Sequence, residues 1–230
     1  MTRAAAHAWS LSAACAVLAP GCYENVVSPF PPGTEPFEAV NVASLPEPTA
    51  TDECPEALHE VDVHTWMNGH VAAVHASGCV HAAPAAVWEA IQDPEVSHDP
   101  PNVNAWWVIE PPTDAECTDG VYETAINAGP AGFTVEFRQC WRHTLVMGTG
   151  EAPMLTATRW QKVWGTTAVR TMEGSLVSQP HPADPENVTE VYMQYHLDAA
   201  SLGPTNYETI EGYLNLVFSR LVTRAHGSTL

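Results

Sequence analysis

The sequence predicts an α+β domain in which an antiparallel sheet of about seven strands is closed by one long C-terminal helix. Three observations predict it. At 71–95 an extended apolar segment runs straight into a short helix opened by Pro84. At 205–226 apolar residues recur at helical spacing. Between the two the chain reads as β-rich runs separated by turn signals.

The first strand, 70–79, is nearly all small and apolar. Pro84 then suits the first turn of a helix, where its missing N–H would be unpaired anyway, and Val87, Trp88 and Ile91 fall on one face. Asp93-Pro94 ends it. Further strands are predicted at 103–110, 120–128, 133–143, 154–165, 168–178 and 188–199. Asp119-Gly120, Gly129-Pro-Ala-Gly132 and Gly165-Thr-Thr mark tight reversals, and Pro180 to Pro185 a longer loop, so an antiparallel meander is the economical topology. In 133–143 the alternation places Phe133, Val135, Phe137, Gln139 and Trp141 on the core side. In 188–199 the apolar set is Val191, Met193, Tyr195 and Leu197, opposite Glu190, Tyr192, Gln194, His196 and Asp198. The segment 154–165 stays ambiguous, with Trp160, Lys162 and Trp164 on one side and Leu155 and Val163 on the other. Asn68-Gly69 is a hairpin signal that would make 60–67 an additional strand; the same residues also read as the end of a short helix begun near Pro55. The closing helix opens on Thr205-Asn-Tyr-Glu208, a capping-box pattern, with Tyr207, Ile210, Tyr213, Leu214, Val217, Phe218 and Leu221 apolar, Arg220 and Arg224 near its end, and Gly227 beyond.

The chain divides into 1–21, 22–53 and 54–230. Arg3, an Ala- and Leu-rich stretch and Leu18-Ala-Pro-Gly-Cys22 resemble a bacterial lipoprotein signal, which implies a lipid anchor on Cys22. Gly21 and Cys22 match that pattern; Pro20 and the early Leu18 depart from it. The apolar run is shorter than the roughly 20 residues that span a bilayer. Residues 22–53 are rich in Pro, Glu, Thr and Ser and read as a tether, leaving 54–230 as one domain. Loss of residues 1–21 removes Arg3 and no acid, so 7 basic and 27 acidic residues remain, a formal charge of −20. Such a field repels phosphate backbones, so no nucleic-acid partner is expected; the membrane is met through the N-terminal anchor. Of the cysteines, Cys54, Cys79, Cys117 and Cys140 remain for two disulfides. Proximity along the chain favours Cys54 with Cys79 and Cys117 with Cys140, among three possible pairings.

A strand, a short helix opening with Ala83-Pro84 and carrying Val87-Trp88 and Ile91, an Asp93-Pro94 stop, antiparallel strands and a long final helix over 205–226 resemble the START-like superfamily. It includes polyketide cyclase/dehydrase, lipid-transport and birch-pollen-allergen proteins. The resemblance covers about 71–226. It implies a helix-grip architecture with an apolar cavity between sheet and helix, and a hydrophobic small molecule or lipid as the bound partner. Phe137, Trp141, Met193, Tyr195, Tyr213 and Val217 are the lining candidates.

No nucleophile elbow, zinc-protease helix, phosphate-binding glycine loop or paired-cysteine motif occurs, and no cofactor is expected. His59, His64, His70, His75 and His81 cluster in sequence, but their alternating spacing puts them on mixed faces, against a metal site. Arg138, His143, Arg159, Lys162 and His196 are the polar groups available to an interior site. For Arg138, Arg159 and Lys162, the only lysine in the chain, surface ion pairing is the expected role, with anchoring of a ligand carboxylate the alternative. Two rival readings stand beside the binding protein: a cyclase or dehydratase using one acid or base such as His196, and a structural lipoprotein whose cavity is filled by Trp and Tyr side chains.

Overall fold

The computed structural model describes residues 54–66, 71–97, 103–128, 135–200 and 205–230. The 1–21 segment, the tether with Cys22, the Asn68-Gly69 and Gly129 to Gly132 turns and Phe133 lie outside the described residues. The elements are β1 (Leu58–Trp66), β2 (Val71–Val80), α1 (Pro84–Gln92), β3 (Val103–Ile109), β4 (Tyr122–Ala128), β5 (Val135–Gly148), β6 (Pro153–Gly165), β7 (Val169–Pro180), β8 (Thr189–Ala199) and α2 (Asn206–Ala225). A short 3₁₀ turn, Ala115–Cys117, precedes β4.

All strands join one antiparallel sheet in the order β1-β2-β8-β7-β6-β5-β4-β3. Strands β3 to β8 form the expected meander, and β8 then returns to β2, so α1 carries the chain from one side of the sheet to the far edge. The sheet has eight strands where the sequence predicts about seven. The addition is β1, which pairs with β2 from Leu58 opposite Gly78 to Trp66 opposite Val71. That decides the open segment 60–67 in favour of strand. Pairing with β2 runs from one end of the segment to the other, farther than one helical turn at Pro55 would reach.

The closing helix forms for the local reason its sequence offers. Thr205 Oγ1 accepts from the Glu208 backbone N–H and Glu208 Oε2 accepts from the Thr205 N–H, a complete capping box. Gly227, at φ +74°, follows the last turn. Ile210, Leu214, Val217, Phe218 and Leu221 are buried, contributing on the order of 10 kcal/mol. Helix α1 has no side-chain cap at Ala83 and relies on Pro84 in its first turn and on burial of Val87, Trp88, Ala90 and Ile91. The far end of α2 holds the stop of α1: Arg224 pairs with Asp93 at 2.7 Å, and Arg220 donates to the Glu95 carbonyl at 2.6 Å. Helix α2 packs chiefly on β2, β8 and α1, whereas α1 packs on β6 and β7. This is the helix-grip arrangement. No helix among the described residues is long and apolar enough to cross a membrane.

Register divides the side chains between two faces. The helix-facing side carries Val74, Met193, Leu176, Trp160, Trp141 and Tyr122; the outer side carries Cys79, Glu190, Glu173, Cys140 and Glu123. Both disulfides, Cys54–Cys79 and Cys117–Cys140, have the pairing favoured by proximity.

Candidate functional site

The helix-facing side of β4 to β8 is floored by aromatic rings in continuous contact. Tyr213 of α2 meets Tyr195 at 5.1 Å between centroids, Tyr195 meets Trp160 at 5.7 Å, and Trp160 meets Trp141 at 5.3 Å. Trp141 stacks on Tyr122 at 5.9 Å, Tyr122 meets His143 at 5.5 Å, and His143 meets Trp88 of α1 at 6.1 Å. Gly174 makes the arrangement possible. A Cβ there would lie 2.1 Å from the Trp160 ring, so the glycine leaves the indole room to lie over β7.

Within this apolar floor three buried polar atoms have no hydrogen-bond partner among the described residues: Lys162 Nζ, Trp160 Nε1 and His143 Nε2. Their neighbours are satisfied. Trp141 Nε1 donates to Thr124 Oγ1 at 2.9 Å, Thr124 donates to Gln139 Oε1, and His143 Nδ1 bonds Thr158 Oγ1 at 2.8 Å. Buried donors are nearly always paired, so the two orphaned donors, Lys162 Nζ and Trp160 Nε1, mark a place suited to an acceptor. Burial pushes the His143 imidazole down to about 4 and leaves it neutral at pH 7.

Lys162 corrects the sequence expectation of a surface ion pair. It is 0% exposed and no carboxylate among the described residues pairs with it. It stands opposite Gln139 and two residues from Trp160 on the same side. Burial pushes its ammonium down to about 8. The ambiguity at 154–165 has a physical cause: register shifts between Arg138 and Gln139, which leaves Val163 as an extra residue. Trp160 and Lys162 therefore share the inner face, while Trp164 turns outward under the Arg138 guanidinium at 5.2 Å.

The six lining candidates all lie where sheet meets helix. Phe137, Trp141, Met193, Tyr195 and Val217 are buried there, and Tyr213 is half-buried with its hydroxyl donating to the Ser97 carbonyl at 3.2 Å. The other polar candidates are elsewhere. His196 lies on the outer face opposite Glu173, so it is not placed to act as an interior acid or base. Arg138 lies on the outer face beside Glu123 at 3.7 Å, and Arg159 is directed there too. Sequence reasoning missed the orphaned Lys162 and Trp160 as a pair; their shared parity in β6 was the available signal.

His59 meets Ser77 at 3.0 Å and His81 meets the Cys54 carbonyl at 2.8 Å, while His70 and the His64 side chain are outside the described residues. Among the described residues one group of metal-ligand type converges, with atoms of Cys54, Cys79, His181 and Glu190 within 4.8 Å of one another. Its two sulfurs are joined as a disulfide and offer no thiolate.

No protein-family model matches the chain, and no curated protein matches it. Solved structures resemble it in fold. A protein of Thermus thermophilus has 15% identity and a TM-score of 0.45, over 67% of this chain and 97% of that one. An aromatase/cyclase from Streptomyces has 13% identity and a TM-score of 0.45, over 68% and 94%. Norcoclaurine synthase of Thalictrum flavum has 12% identity and a TM-score of 0.42, over 68% and 95%.

Proposed function

We propose that the protein binds a hydrophobic small molecule or lipid between the sheet and α2, with a polar oxygen of the ligand turned toward Lys162 and Trp160. The observation that carries this reading is the buried, unpaired Lys162 Nζ in an aromatic floor. Burying about 300 Å² of apolar ligand surface would contribute roughly 7 kcal/mol before association costs. One acceptor atom would then relieve a buried donor that otherwise costs stability. The test is native mass spectrometry of gently purified protein, followed by titration with long-chain and polycyclic probes read by tryptophan fluorescence. A co-purified ligand or saturable quenching is expected, and Lys162→Met should weaken oxygen-bearing probes while sparing pure hydrocarbons. Absence of any ligand and of any quenching favours the rival reading that the continuous ring contacts are simply a filled core.

The same proposal places the domain in the bacterial cell envelope, held by a lipidated Cys22 with 22–53 as tether. The support is the Leu18-to-Cys22 pattern and the Pro-rich composition that follows. Cys22→Ser should release the protein from the membrane fraction with an unchanged melting temperature; retention with normal processing would sink the anchor.

A further inference from the structure

We propose that Lys162 is a reactive amine, condensing with the carbonyl carbon of an apolar aldehyde or ketone held between the sheet and α2. This deepens the binding reading and rests on it. The geometry is that of a nucleophile more than a counter-ion site. Lys162 Nζ is enclosed, has no hydrogen-bond partner among the described residues, and stands beside Trp160 on the inner face.

The charges around it agree. Among the described residues the titratable groups on the inner side include His143 on β5, Tyr122 on β4, Tyr195 on β8 and Tyr213 on α2, and Asp93 at the end of α1, which acts on Tyr122 and is ion-paired with Arg224 at 2.7 Å. His143 is held neutral, and burial raises Tyr122, so neither supplies an anion at neutral pH. Glu60 of β1 lies on that side as well, but on the exposed edge strand four strands away, where it accepts from the Tyr207 hydroxyl at 2.9 Å. Four strand spacings are about 19 Å. On the outer face of the neighbouring strands, Glu123 and Glu173 are on the other side of the sheet. Among the described residues no carboxylate pairs with Lys162, and its value of about 8 leaves a useful fraction as free amine near neutrality.

The step balances without a further reagent. The amine lone pair attacks the carbonyl carbon while the C=O π pair moves to oxygen. Proton transfer from nitrogen to oxygen gives a carbinolamine, and loss of its hydroxyl with the second N–H proton as water leaves the C=N bond. Enclosure of Nζ then protects the imine from hydrolysis.

Lys162 is the chain's only lysine, which makes the test direct. The full-length protein is incubated with decanal and sodium cyanoborohydride, then read by intact mass and peptide mapping; the chain's terminal amine is the internal comparison. A reduced adduct is expected at Lys162, increasing as pH rises through about 8. It should be lost in Lys162→Met and Lys162→Arg. Glyoxylate, a polar aldehyde, should label Lys162 in urea-unfolded protein but not in folded protein. Decanal that quenches tryptophan fluorescence without labelling Lys162 overturns the proposal and leaves the binding reading standing. Failure of every apolar probe to quench overturns both, and labelling of folded protein by glyoxylate as readily as by decanal shows an ordinary exposed amine and overturns the proposal.

Discussion

The two faces of the same sheet bury different kinds of polar group. On the outer face every buried carboxylate among the described residues has a partner. Glu123 accepts from the Asp114 N–H at 2.6 Å, Glu173 from Gln161 at 3.3 Å, and Glu190 from the Tyr192 hydroxyl at 2.9 Å. On the inner face Lys162 Nζ, Trp160 Nε1 and His143 Nε2 have none. A paired buried group supports the fold that surrounds it; an unpaired one costs stability until something outside the chain completes it. The contrast is therefore between paired carboxylates outside and unpaired donors inside, although Gln194 Oε1 on the outer face also lacks a hydrogen bond.

The largest expected effect strikes the inner face. Gly174→Ala would put a methyl 2.1 Å from the Trp160 ring and 2.6 Å from the Gln194 carbonyl, contacts that force the indole off the floor. A cost of about 3 kcal/mol or more in urea unfolding is expected, with loss of probe binding. Removing the outer-face disulfide by Cys117→Ala with Cys140→Ala should cost roughly 3 kcal/mol, as expected for opening a loop of this size. Probe binding by the folded fraction should survive it. Equal loss of binding in both variants would break the division between the faces.

Much of this arrangement was legible because it is local. The capping box at Thr205 and Glu208, the Pro84 start, the disulfide pairs and most strand limits depend on residues near one another in sequence. The inner sets Phe137, Gln139, Trp141 and Val191, Met193, Tyr195, Leu197 follow from simple alternation. Lys162 escapes such a reading because alternation assigns a residue to a side without saying what covers that side. The extra residue at Val163 also hides which of Trp160 and Trp164 keeps company with it. In β8 the outer set Glu190, Tyr192, Gln194 and His196 reads as solvent-facing, yet all four are buried. Period-two patterning marks the more apolar face, and a strand in the middle of a sheet can be covered on both.

The next effect sharpens the contrast by reversing a usual sign. Lys162→Met should stabilise the protein at pH 7, since methionine fills similar space without an orphaned amine. The folded group sits near 8 against 10.5 when unfolded, so the native state binds fewer protons between those values. Wild-type stability should accordingly rise from pH 8 to 10.5, relative to a variant whose curve lacks this component. The displacement corresponds to about 3 kcal/mol, and roughly 2 is expected after local relaxation. Destabilisation by Lys162→Met would mean that the amine has a partner and that the inner face is scaffold after all.

The smallest effect belongs to the outer face, where a partner exists but does not abolish the cost of burial. Burial raises Glu173 from 4.5 to about 7, opposed by Arg159 and by the Gln161 hydrogen bond. The native state therefore holds this proton more tightly than the unfolded chain does. Its contribution to stability is complete below pH 4.5 and is lost as pH rises through about 7. In Glu173→Gln an amide oxygen can still accept from Gln161, and the pH dependence of this site is removed. The variant should gain on wild type between about pH 5 and 8 by about 1–2 kcal/mol, since water admitted to an ionised outer-face acid trims the full value. Paired denaturation curves at those two pH values measure it. If the gain is absent while Lys162→Met stabilises as expected, the outer face is paired well enough to carry its charge, and the contrast between the faces is sharper than burial alone implies. If instead Glu173→Gln gains more than Lys162→Met, pairing has failed to distinguish them, and the unpaired inner amine loses its standing as the mark of a site.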